Sequence, residues 1–198
     1  MFTASTLKLG IAIMAFAIAG GVAAAEAGRD LQVEVRITEQ EIRSRATMFV
    51  PASQQRVWDV VTDYERAPEF TQDLEESKIL SRSGNRLRVF QKNRFRLGPF
   101  SIPVETVRDI RLTAPVRFES RLVEGSMKEY EAATELVPVA GGTRIVYRSR
   151  AVPDSILAGF ATESVVKRET EEHFRQLRAE ILRRERLASA QASTPAAR

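Results

Sequence analysis

The chain has 198 residues, enough for one domain around a single core once a leader is set aside. Its 43% hydrophobic and 28% charged residues exclude wholesale disorder, and a net charge of +4 is too small to choose between anionic lipid and nucleic acid as a partner. With no cysteine and one histidine, His173, the sequence excludes disulfides, thiolate chemistry and histidine-rich metal sites, and it leaves little for a catalytic triad.

Residues 1–25 read as a cleavable export signal. A polar stretch with one positive charge, Met1 to Lys8, precedes the apolar run Leu9 to Val22, and small residues follow at Ala23, Ala24 and Ala25. The cut is expected after Ala25 or Ala27. The run is shorter than the ~20 residues a spanning helix needs. The mature protein is therefore expected to be periplasmic or secreted.

A domain is expected over residues 31–187. Leu31 to Val50 alternates as strand, with Val33, Val35 and Ile37 on one face. Pro51 stops it and Ser53 caps a short helix to Thr62, with Val57, Trp58 and Val61 on one side. A loop or second short helix passes through Tyr64, Pro68 and Phe70. Six strands follow as a meander: Ser77 to Arg82, Arg86 to Leu97, Phe100 to Leu112, Val116 to Glu124, Met127 to Val137 and Thr143 to Val152. Turn residues separate them, such as Ser83-Gly84-Asn85 and Ala140-Gly141-Gly142. From Leu157 to about Leu187 the composition favours one long helix, with Val166, Thr170, Phe174, Leu177 and Ile181 forming a semi-apolar stripe. Residues 188–198 have no apolar pattern and are expected to be a disordered tail.

Strand alternation assigns the faces. Leu87, Val89, Gln91, Asn93 and Phe95 point inward, as do Val116, Phe118, Ser120 and Leu122. Tyr130, Ala132, Thr134 and Leu136 join them, with Ile145, Tyr147 and Ser149. Outward glutamates of the fifth meander strand then face arginines on both neighbours, a stabilising charge ladder. The inward face mixes apolar and polar side chains. Either it is a packed core whose polar groups pair with one another, or it is the wall of a ligand cavity.

The segment VPASQQRVWDVVTDYERAPEF, Val50 to Phe70, resembles the polyketide-cyclase/dehydrase and coenzyme-Q-binding branch of the START-like (SRPBCC) superfamily. The likeness continues through LVEGSMKEYEAATELVPVAGGTRIVYR, Leu122 to Arg148, into the long helix. It implies an α+β helix-grip fold: a curved antiparallel sheet wrapped around the C-terminal helix, with two short helices after the first strand. It also implies a cavity for an apolar molecule such as a lipid, quinone or polyketide. Tyr64, Phe70, Val89, Gln91, Phe95, Phe118, Leu122, Tyr130, Tyr147, Val166, Thr170 and Phe174 are the expected lining.

The expected partner is thus an apolar small molecule, with transient contact to a membrane surface and no nucleic acid. No cofactor, metal or catalytic residue is assigned. His173 is expected at the surface or the edge of the packing, and nothing nearby in sequence orients it as a base. The leading expectation is a binding protein. The alternatives are a cyclase or hydrolase using Tyr130, Tyr147 or His173, and an envelope scaffold contacting partners through the basic Arg86 to Arg96 strand.

Overall fold

The computed structural model describes residues 31–97, 100–154, 158–159 and 161–192, and of these the side chains other than 95–97, 100 and 192. The expected export signal and the end of the expected tail lie outside the described residues. Eight antiparallel strands form one sheet: β1 (Leu31–Ile37), β2 (Ile42–Val50), β3 (Leu74–Ser83), β4 (Arg86–Leu97), β5 (Phe100–Thr113), β6 (Arg117–Gly125), β7 (Met127–Val139) and β8 (Gly142–Pro153). Their spatial order is β1-β2-β8-β7-β6-β5-β4-β3. Helix α1 (Gln54–Val61) and the 3-10 turn Ala67–Glu69 join β2 to β3, and helix α2 (Glu163–Ala192) closes the chain.

Local chemistry sets these boundaries. Ser53 Oγ accepts from the Arg56 amide at 3.2 Å, satisfying one free donor at the start of α1. Thr162 Oγ1 does the same for Val165 at 3.3 Å ahead of α2. Gly125 has φ +142°, and a Cβ there would lie 2.1 Å from the Glu105 carbonyl oxygen, so β6 turns into β7 hard against β5 only without a side chain.

Three expectations are corrected. Leu31 to Val50 is a two-strand hairpin, because Thr38 and Glu41 close a turn at 2.9 Å, so the two short helices follow the second strand. Helix α2 runs beyond Leu187 to Ala192, since Ala188 to Ala192 contain no breaker and alanine favours helix. Val116 points outward, 47% exposed, because it belongs to the turn before β6 and escapes strand alternation.

The helix packs mainly against β1, β2 and α1. The core there joins Met48, Val50, Val57, Trp58, Leu136, Ile145, Phe174 and Ile181. A second, smaller cluster of Tyr64, Leu87, Val89 and Ile110 lies toward β4 and β5. Between the two, the inner face of the sheet is left without a solid filling. On the outer face the expected charge ladder forms, with Glu131 3.9 Å from Arg121, Glu135 3.0 Å from Arg117 and Glu129 2.6 Å from Arg150.

Candidate functional site

The unfilled space is a cavity of about 450 Å³ between sheet and helix α2. That volume suits a small organic ligand. Tyr64, Phe70, Gln91, Phe118, Tyr130, Tyr147, Val166, Thr170 and Phe174 line it, as expected from sequence. Three expected residues stand apart. Val89 is fully buried in the second cluster, where it packs with Tyr64 and Leu87. Leu122 does not line the cavity; it is the cross-strand partner of Arg108 beside the register shift between β5 and β6. Phe95 has its side chain outside the described residues.

The walls are unequal in character. Phe118 meets Trp58 edge-on at 6.2 Å, and Tyr147 meets Phe174 at 5.6 Å, forming an aromatic wall from α1, β6, β8 and α2. Next to it, joined through the Tyr130–Tyr147 hydroxyl contact, lies a polar cluster centred on Arg108 of β5. Its guanidinium donates to Ser120 Oγ at 3.4 Å and, closely, to Gln91 Oε1, and sits 5.7 Å from the Tyr130 ring centroid. Gln91 in turn donates to Ser77 at 3.1 Å, which fixes its amide with the oxygen toward Arg108. The Tyr130 and Tyr147 hydroxyls meet at 3.1 Å.

Arg108 is under-satisfied. A guanidinium has five N–H donors. Here Nε is buried without a hydrogen-bond partner. No carboxylate of the described residues lies within ion-pair distance of Arg108, although the other cavity-lining cation of note, Arg94, is paired with Glu75. A partly desolvated cation without a counter-charge is costly unless something else supplies acceptors.

His173, expected at the surface or the edge of the packing, is exposed and also lines the cavity wall. Protein surrounds the ring although part of its surface is open. It stands edge-on to Phe174 at 6.0 Å. Burial, with the Arg108 charge adding to it, pulls its pKa down to about 4, so the imidazole is neutral at pH 7. Burial pushes the Tyr64 phenol up to about 12, with Arg108 opposing. Burial and the neighbouring Tyr130 push Tyr147 well above the ordinary phenol value. Both tyrosines therefore act as hydrogen-bond groups and not as bases.

Among the described residues four carboxylates line the cavity: one oxygen of Asp73, Oδ1, is buried without a hydrogen-bond partner, and Asp63, Glu169 and Glu172 are engaged through the contacts that follow. Asp63 meets Arg184 at 2.8 Å, Glu169 meets Arg168 at 3.1 Å, and Glu172 accepts from Gln176 at 2.9 Å. Among the described residues no group of histidine and acidic side chains could hold a metal ion. Sequence reasoning missed Arg108, and it brought His173 forward only within the cyclase or hydrolase alternative. The signal for Arg108 was available, since it alternates inward with Thr106 and Ile110, but an arginine at such a position is easily read as solvent-facing.

Residues 50–177 match the family described as polyketide cyclase / dehydrase and lipid transport. No curated protein matches the sequence. Among solved structures, the STAR-related lipid transfer protein of Xanthomonas axonopodis is similar, at 18% identity and TM-score 0.61 over 77% of this chain and 93% of that one. The Zhui aromatase/cyclase of Streptomyces sp. R1128 gives 18% identity and TM-score 0.63 over 75% and 98%. Human STARD10 gives 13% identity and TM-score 0.65 over 82% and 73%. At these identities the likeness is one of fold.

Proposed function

This chain belongs to the polyketide cyclase / dehydrase and lipid transport family, and we propose that it binds an apolar molecule of the lipid or quinone class by an oxygen-bearing head. The carrying observation is the under-satisfied Arg108 guanidinium beside the Tyr130–Tyr147 pair, in a cavity whose remaining walls mix apolar side chains such as Phe118 and Phe174 with polar ones such as Thr170 and His173. A carbonyl, carboxylate or phosphate oxygen supplies the acceptor that Arg108 lacks, and the Phe118–Phe174 side takes the apolar body. The engagement of Asp63, Glu169 and Glu172 and the weakly basic His173 favour holding over turnover. The leader-like Met1 to Ala27 segment supports placing this binding step outside the cytoplasm, where a transient membrane contact would load the ligand.

Trp58 is the chain's one tryptophan, and it touches cavity-lining Phe118. Titration with a dansyl-labelled fatty acid, followed by energy transfer from Trp58, tests the reading. Saturable transfer that an unlabelled fatty acid or quinone reverses supports it; none at any concentration below the probe's micelle point refutes it. A cyclase reading draws on one observation, that Arg108 and the tyrosine pair could polarise a substrate carbonyl together. It requires turnover of a polyketide-type substrate that Arg108→Met abolishes.

A further inference from the structure

The outer face of the sheet, away from helix α2, carries a groove lined only by strand residues. We propose that this groove is a docking site for an extended acidic polypeptide segment. The proposal is independent of the cavity, which lies on the opposite face.

Two outward rows of side chains flank the groove. In one, register sets Arg43 beside Arg150, then Glu131, Arg121, Asp109 and Arg88. This row is neutralised: Arg88 binds Asp109 at 2.7 Å, Arg121 lies 3.9 Å from Glu131, and Glu41 holds both Arg43 and Arg150. The other row runs Arg45, Arg148, Ala133, Glu119, Arg111 and Arg86. Its one carboxylate, Glu119, is taken by Arg117 at 2.6 Å. Its four arginines are exposed and, among the described residues, have no carboxylate within ion-pair distance.

Like charges meet in both rows. In the first, Arg43 faces both Arg36 and Arg150, but there Glu41 bridges Arg43 and Arg150; among the described residues the second row has no such bridge. Arg45 faces Arg148 and Arg86 faces Arg111 directly across strands, and like charges so placed repel. The groove holds eight arginines against Asp109, Glu119 and Glu131, an excess greater than the whole chain's net charge of +4. Folding alone does not explain two repelling pairs on one row. An anionic partner does.

Shape selects the partner. Three strand spacings separate Arg148 from Arg111, about 14 Å at ~4.8 Å each. An extended chain covers that in four residues at ~3.4 Å each, which returns side chains to the same face. Carboxylates at positions i and i+4 of an extended segment therefore meet the two arginine pairs, with small Ala133 in the recess between. No aromatic residue lines the groove to stack on nucleic-acid bases. A recess also meets a flat bilayer poorly.

The test uses fluorescence anisotropy with a labelled decapeptide alternating Glu and Ser, at low salt. Saturable micromolar binding is expected, weakened by added salt. It should fall at least tenfold in the R45Q/R86Q/R111Q/R148Q variant and hold within twofold in R88Q/R121Q. Absence of binding, or equal binding by the four-fold variant, overturns the proposal. So does tighter binding, through the same arginines, of a single-stranded oligonucleotide or of phosphatidylglycerol vesicles. The four-fold variant should melt at or above the temperature of the parent protein, because it removes repulsion; a lower melting temperature would make the row structural and also overturn the proposal.

Discussion

Tyr130 and Tyr147 share a hydroxyl contact of 3.1 Å although they are not cross-strand partners. Tyr130 faces Ala151 and Tyr147 faces Thr134, and the small pair Ala132–Ser149 lies between them. Two long side chains thus lean toward one another over a low point in the sheet. The Arg108 guanidinium lies beside them.

Replacing one tyrosine should expose this dependence. Tyr147→Phe keeps the ring against Phe174 but leaves the Tyr130 hydroxyl without its partner, so a loss of about 1 kcal/mol is expected. Tyr130→Phe should cost a similar amount. The double variant should cost less than the sum, because both substitutions delete the same bond. Urea unfolding of the four proteins measures it.

Arg108→Met should separate stability from binding. Removing a cation that has no carboxylate partner should leave the melting temperature equal or higher, as replacing buried charge by apolar volume often does. Affinity for a carboxylate-headed probe should fall tenfold or more, while an uncharged hydrocarbon probe should bind as before. Calorimetry on both probes checks the two halves.

Acid should weaken the fold in two windows. His173 has a folded pKa of about 4, below its ordinary 6.5, so the fold favours its neutral form. Its contribution is present above about pH 6.5 and is lost as the pH falls toward 4. Glu180, held down to about 2 mainly by its Arg183 hydrogen bond, loses its contribution lower, between about pH 4.5 and 2. His173→Phe should flatten the first window and leave the second. Chemical denaturation across pH 3 to 8 would show both.

Arg184 ties α2 to the loop at the cavity. It contacts Asp63 at 2.8 Å and Glu180 at 2.6 Å, with its cation 5.5 Å from the Phe70 ring centroid. Only 14% of its side chain is exposed. Arg184→Ala should cost about 3 kcal/mol, since it strips a partner from sheltered carboxylates. It should also speed hydrogen exchange in the loop from Asp63 to Phe70.

Much of this was legible beforehand because strand alternation has a period of two. Once the meander was read, Tyr130, Tyr147, Phe118 and Gln91 had to share one face, and they do. The helix stripe placed Val166, Thr170 and Phe174 on the same cavity. Arg108 escaped because charged side chains default to solvent in a pattern argument; only three-dimensional packing shows that it faces a cavity. Val89 and Leu122 show the converse limit: alternation assigns a face, but not whether the space beyond it is filled. The arginine row was hidden for a related reason, since charge alternation along each strand does not reveal which residues end up opposite one another.

The most direct test of the central claim is native mass spectrometry of the protein purified without detergent from the cells that make it, followed by organic extraction. The account predicts a bound mass that dissociates on collision and is recovered in the organic phase as an apolar molecule with a carbonyl, carboxylate or phosphate head, with the bound fraction lost in Arg108→Met. A protein that runs at its bare chain mass in every gentle preparation, and that also takes up no added lipid or quinone, would contradict it.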